Sequence, residues 1–237
     1  MPLKKRAIRT LVVSLLIVGA AVVSGIYGFT YVPIQRAEEI MLSGEFDPAA
    51  FVEGIWENSL IPAIEEGAVD LPLVLGRIRV DENGFTSKEN LIPVTKEYGL
   101  ITVGEAHVYM VKGQGQVVRI DTSSSIGTLE LSLDEYNGPI EVIFYIGPRI
   151  PSDESSVRDA VGFINFGDFR EQTEYGRVAA EINRRISELV LEPLDKADLE
   201  GKSIRFYGAF TIRTFNLVRI DLNQIRIVPV NLSILCE

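Results

Sequence analysis

An uncharged, largely apolar stretch runs from Leu11 to Val32, directly after Lys4, Lys5, Arg6 and Arg9. At ~1.5 Å rise per residue it spans roughly 33 Å as a helix, enough to cross a hydrocarbon core of ~30 Å. A basic flank stays on the cytoplasmic side. Residues 1–10 are therefore expected in the cytoplasm, residues 11–32 as a single-pass signal anchor, and residues 33–237 outside, in the periplasm or on the outer surface. A secretory signal is the competing reading, because the charged flank fits and Ala20, Ala21, Ser24 and Gly25 offer small residues for cleavage. The run is longer than the ~7 to 15 residues of an ordinary signal core, which favours a retained anchor.

Without the four basic residues of that flank, 19 Lys plus Arg face 33 Asp plus Glu, so the exported part carries about −14. Such a surface repels phosphate backbones, and nucleic acid is not an expected partner. The only cysteine is Cys236 and the only histidine His107. A disulfide scaffold within the chain is thereby excluded, as is a transition-metal site of the usual His/Cys kind. No EF-hand spacing or comparable Asp-rich loop is present either, and no cofactor is expected.

The exported part divides by period. Residues 33–105 read as a helical segment. Asp47 and Pro48 mark a helix start, and Phe51, Val52, Ile55, Trp56, Leu60 and Ile61 recur on one face. Trp56 with Phe51 reads as a packing anchor. Short helices are expected between Leu60 and Ile78, broken by Pro62, Gly67 and Pro72, and another over Ser87 to Glu97, after a turn at Asn83-Gly84. From His107 the pattern alternates, giving strands around Val108 to Ile120, Gly127 to Leu133 and Ile140 to Ile146. Asp168, with Glu171 three residues on, is expected to cap a long helix whose stripe is Tyr175, Val178, Ala179, Ile182, Ile186 and Leu189. Strands Lys202 to Thr211 and Leu217 to Val228 follow. Three meandering strands, a helix and two strands is the order of an OB-like five-stranded antiparallel barrel over residues 106–237. A small open α+β sandwich gives the same string.

Several segments resemble a known family. They are Phe46-Asp47-Pro48 with Ile55-Trp56, Tyr109 to Val117, the turn Asp121 to Ser124 before Gly127-Thr128-Leu129, Ile146-Gly147-Pro148, Val157 to Ala160 with Phe163, Ile164 and Phe166, and Gly208-Ala209-Phe210. Together, over roughly Phe46 to Val228, they are similar to the domain of unknown function 2291 family, whose members are described as predicted periplasmic lipoproteins. The resemblance implies an extracytoplasmic protein without an established activity, and a link to carbohydrate uptake, with a transporter component or solute receptor as partner. The chain departs from the family in lacking a lipobox cysteine after the apolar segment. It also has Ser125 where many relatives are expected to carry arginine, and a longer stretch from Arg149 to Ser156.

Two segments stand out as candidate ligand or partner sites. The run Asp121, Thr122, Ser123, Ser124 and Ser125 sets small hydroxyls at a strand-to-strand turn; it could hold a sugar or phosphate, or simply satisfy its own backbone. Arg149, Arg158 and Asp159, with Asp168, lie where the chain leaves strand three; a guanidinium there could recognise an anionic group or tie the crossover to the barrel. Tyr98, Tyr109 and Tyr136 could offer an aromatic face to a sugar. For catalysis the inventory is thin. His107 lacks a nucleophile elbow and reads as a surface or packing residue. Asp153 with Glu154, or Glu171 with Glu174, would have to serve as paired carboxylates of a hydrolase. The sequence thus points to a non-enzymatic accessory or binding module at the membrane, with a sugar-binding domain and a carboxylate-dependent hydrolase as alternatives.

Overall fold

The computed structural model describes residues 46–102 and 104–235. The anchor expected at Leu11 to Val32 lies outside the described residues, among which no helix is long and apolar enough to cross a membrane. Helix α1 (Pro48–Ile55) starts as its sequence dictates: the Asp47 carboxylate accepts from the Ala49 and Ala50 amides at 2.9 and 3.2 Å, and Pro48 takes the first helical position. It runs through a π-turn, Trp56–Leu60, into α2 (Ile61–Gly67). A two-residue strand β1 (Val69–Asp70), α3 (Leu71–Arg77), β2 (Phe85–Thr86), α4 (Lys88–Tyr98) and β3 (Leu100–Ile101) complete the first part. Pro62 and Pro72 each sit in the first turn of a helix. Pro72 starts α3, where the amide that proline lacks is unpaired in any case, and Pro62 follows directly on the π-turn, where the helical run changes from one hydrogen-bond pattern to the other.

The second part contains β4 (Ala106–Asp121), β5 (Thr128–Leu133), β6 (Glu141–Tyr145), α5 (Ser156–Ala160), α6 (Gln172–Ile186), β7 (Ser203–Arg213), β8 (Ile220–Asp221) and β9 (Gln224–Ile234). Long β4 serves two partners. Its first half and centre pair with β7, its last third with β5, and the register slips between Val117 and Arg119. The pairings run β4, β5, β6, β9, β7 and return from β7 to β4; only β6 with β9 is parallel. This is a mixed α+β architecture with the strand order of an OB fold. Among the described residues the main sheet has seven strands rather than the expected five, because β1 and β3 add short ladders to β4. Short β2 and β8 pair with each other apart from it.

Alternation along the strands separates two apolar layers. Tyr109, Phe144, Phe206 and Phe210 point inward, where Phe144 meets Phe206 edge-on at 4.7 Å and Tyr109 stacks on Phe210 at 4.8 Å. Leu71, Val74 and Leu75 of α3 and Leu91 of α4 join the same core. On the other side α5 packs on β7 and β4, and α1 on α6.

Two elements differ from the sequence expectation. Helix α6 begins at Gln172, not at Asp168; Asp168 instead closes a capping box with Asn165 around a single 3-10 turn, Phe166–Asp168. The local pair Asn165/Asp168 satisfies the chain one turn early, leaving Glu171 at the edge of α6 without a side-chain cap bond. The fifth main strand starts at Gln224 instead of Leu217; before it lie the short β8, paired with β2, and a loop with Leu217 and Val218 exposed. The extra strand residues from Asn231 to Ile234 continue β9 past a register slip opposite Tyr207 and Gly208.

Candidate functional site

The serine turn is a self-contained loop. The Asp121 carboxylate accepts from the Ser123 amide at 2.9 Å; the Ser123 hydroxyl first and this amide second hold its pKa below the usual carboxylate range, and Ser124 Oγ accepts from the Gly127 amide at 3.3 Å. Asp121, Thr122, Ser123, Ser124 and Ser125 are all exposed. Behind them two glycines permit close backbone contact. Gly127 has φ +55°, and a Cβ on Gly147 would lie 2.2 Å from the Ile126 carbonyl. Through that contact the Arg149 amide donates to the Ser125 carbonyl at 3.0 Å, so turn and Arg149 are neighbours through the backbone. The Arg149 side chain lines a shallow cleft against α6 of about 280 Å³.

Arg158 and Asp159 lie elsewhere, in α5, and are spent on each other. Nε and Nη2 of Arg158 donate to Asp159 Oδ1 at 2.8 and 2.6 Å, and Nη1 donates to the Tyr175 carbonyl at 2.9 Å. The guanidinium lies over the Tyr175 ring at 3.5 Å, while the Tyr175 and Ser155 hydroxyls complete the Asp159 carboxylate at 3.0 and 2.7 Å. This cluster ties α5 to α6. Its partners are all internal, and Asp168 is engaged with Asn165 instead. Nor do the tyrosines form a platform: Tyr109 is fully buried and the Tyr136 hydroxyl accepts from the Ile140 amide at 3.2 Å.

His107 is a packing residue, inside a polar knot. Thr95 Oγ1 donates to the Leu91 carbonyl at 3.0 Å and lies 2.6 Å from His107 Nδ1 and 2.5 Å from the Tyr109 hydroxyl. With its own proton on Leu91, the threonine oxygen accepts from both the imidazole and the phenol. His107 Nε2 is then left as a buried acceptor without a partner among the described residues. Burial, and secondarily the Lys88 charge, hold the imidazole below its ordinary range; burial pushes the Tyr109 phenol up to about 12.

A larger cleft, which sequence reasoning did not single out, opens between the start of β9, the end of β7 and the segment before α5. It measures about 550 Å³, and Tyr145, Glu154, Thr211, Arg213, Leu217 and Arg226 contribute to its lining. Glu154 is only 8% exposed. Its Oε1 accepts from the Ser156 amide at 2.8 Å and from the Ser156 hydroxyl, whose oxygen also lies 2.8 Å from Thr211 Oγ1. Asn183 of α6 holds the Glu154 carbonyl at 2.8 Å, and Arg213 holds the Asp153 carbonyl at 2.6 Å and its carboxylate at 3.2 Å. Oε2 of Glu154 has no partner among the described residues. Nearby, the buried Tyr145 phenol is raised by burial first and by the Glu154 charge second, and the Arg226 guanidinium beside it opposes the rise. At the rim, Phe215, Leu217 and Val218 form an apolar tip, Val218 being 87% exposed.

Sequence reasoning names Glu154 only as a candidate carboxylate partner of Asp153; a further local signal is an acid two residues before a serine at a helix start. The partners that turn it into a site stand 29 residues away at Asn183, 55 from Ser156 at Thr211, and 60 from Asp153 at Arg213.

A family model described as predicted periplasmic lipoprotein (DUF2291) matches residues 16–233. No curated protein matches the chain. Among solved structures, an OB-fold protein from Thermotoga maritima is similar, with a TM-score of 0.59 and 20% identity over 81% of this chain and 100% of that one. The likeness is one of fold.

Proposed function

We propose, taking as premise that the chain belongs to the family of predicted periplasmic lipoproteins DUF2291, that it is a non-enzymatic binding module held at the outer face of the membrane. In this reading the OB-type strands form a barrel that presents the cleft at Glu154. The observation that carries it is the Glu154 carboxylate, buried and clamped, with one oxygen left open toward a cleft of ligand size. The hydrolase alternative draws no support from the carboxylates. Asp153 is turned onto Arg213 and Glu154 onto Ser156, so the two are not arranged as an acid and its partner. A ligand held only by the native state raises the melting temperature by mass action. Thermal unfolding of the full chain in detergent against a panel of sugars and amino acids is therefore expected to show a rise for one class; a flat response across the panel would count against the reading.

A second reading, an accessory role in solute uptake, is favoured by the apolar tip Phe215, Leu217 and Val218 at the cleft rim. Exposed apolar side chains grouped in this way mark surfaces that meet another protein. Crosslinking in the native membrane should recover a transporter component or solute receptor with the wild type and lose it in Val218→Ser; equal recovery from both would remove the tip from the interaction.

A further inference from the structure

Resting on the binding reading above, the charges left over in the cleft identify the ligand class. Five charged residues line it: Glu154, which is buried, and Glu141, Arg213, Asp221 and Arg226, which are exposed. Arg213 is neutralised by a carboxylate outside the lining, its Nη1 lying 3.2 Å from Asp153 Oδ2. Glu154, whose bonds all come from Ser156 onto one oxygen, is the buried charge of the lining without an ionic partner among the described residues, and Arg226 is the cation of the lining without one. Both line the same cleft, and so does Tyr145. A buried carboxylate without a cation is costly, and so is breaking the geometry that holds it; a ligand bearing an ammonium recovers that cost, whereas a hydroxyl leaves the charge uncompensated. The guanidinium offers a planar fork that matches a carboxylate. The walls beyond, at Leu217, Ile220 and Leu222, are apolar.

We propose that the cleft takes a small zwitterion of the α-amino acid class with an apolar side chain, its ammonium on Glu154 Oε2 and its carboxylate on Arg226. Thr211 and Ser156 act at one remove, by fixing the Glu154 rotamer.

The test is calorimetric titration of the full chain in detergent with L-leucine, N-acetyl-L-leucine, L-leucinamide, glucose and maltose. L-Leucine is expected to bind; removing its ammonium should weaken binding roughly thirty-fold or more, the usual scale for one partner of a buried charge pair, and removing its carboxylate should weaken it about two- to five-fold, as for an exposed pair. Glu154→Gln should weaken L-leucine while leaving N-acetyl-L-leucine unchanged. Arg226→Gln, on the exposed side of the cleft, should erase the difference between L-leucine and L-leucinamide. Equal binding of leucine and its acetylated form overturns the inference. Binding of a sugar alone also overturns it, though the binding reading stands. No heat from any of the five overturns both.

Discussion

A buried carboxylate, Glu154, and a largely buried one, Asp159, stand five positions apart in the chain and have opposite fates. Asp159 is saturated: the Arg158 guanidinium and the Tyr175 hydroxyl take one oxygen, and Ser155 takes the other. Glu154 lines the cleft with one oxygen filled by Ser156 and the other without a partner among the described residues. Burial alone therefore does not mark a functional acid. A saturated carboxylate is structural glue, whereas a clamped one with an open lone pair is prepared to receive something.

The comparison breaks most visibly at the saturated end. Asp159→Ala strands the Arg158 guanidinium and should cost about 3 to 5 kcal/mol, read as a fall in denaturation midpoint at unchanged slope. A loss under about 1 kcal/mol would show that the pair is not the tie between α5 and α6. A smaller effect is expected at His107, whose open nitrogen is sealed inside the protein. Its folded-state acidity is shifted so that protonation occurs at lower pH than in the unfolded chain. The unfolded state then binds more protons, so stability is complete above about pH 6.5 and falls as pH drops through the window just below it. His107 is the only histidine, and His107→Gln should flatten that slope; an unchanged slope would assign it elsewhere. At the open end, Glu154→Gln removes an uncompensated charge while the amide oxygen still accepts from Ser156. Stability should hold or rise by up to about 1 kcal/mol even as ligand binding is lost, and a loss comparable with Asp159→Ala would erase the distinction. Smallest of all, Ser123→Ala or Ser124→Ala in the exposed turn should change stability by no more than about 0.5 kcal/mol and leave ligand binding intact.

The strand order and the Asp47 helix start were legible because each depends on local periodicity or a local cap. The Asp121 turn was legible too, and its bland reading rests on the bonds between Asp121 and Ser123 and between Ser124 and Gly127. The start of α6 was misplaced because two capping signals lie within one turn of each other, at Asn165/Asp168 and Asp168/Glu171, and only tertiary packing decides between them. Leu217 and Val218 read as strand because β-branched and aliphatic residues carry that signal wherever they stand, including an exposed loop tip. The cleft itself was out of reach: Glu154, Thr211, Arg213 and Arg226 become neighbours only once β7 and β9 fold back over the segment before α5.

The apolar stripe of α6 was expected to end at Leu189, yet Leu189 is 56% exposed and Leu191 is fully buried. The π-turn Ser187–Leu191, closed by the Glu192 amide on the Ser187 carbonyl at 2.8 Å, places five residues rather than four between successive inward positions. One residue is thus accommodated as surplus length. Deleting a single position between Ser187 and Val190 would let the turn close as an ordinary α-turn with Leu191 still facing inward. Homologous chains should accordingly differ in length by one residue at this point without losing the fold, and an alignment that forces the stripe to keep regular spacing here will put every later residue out of step.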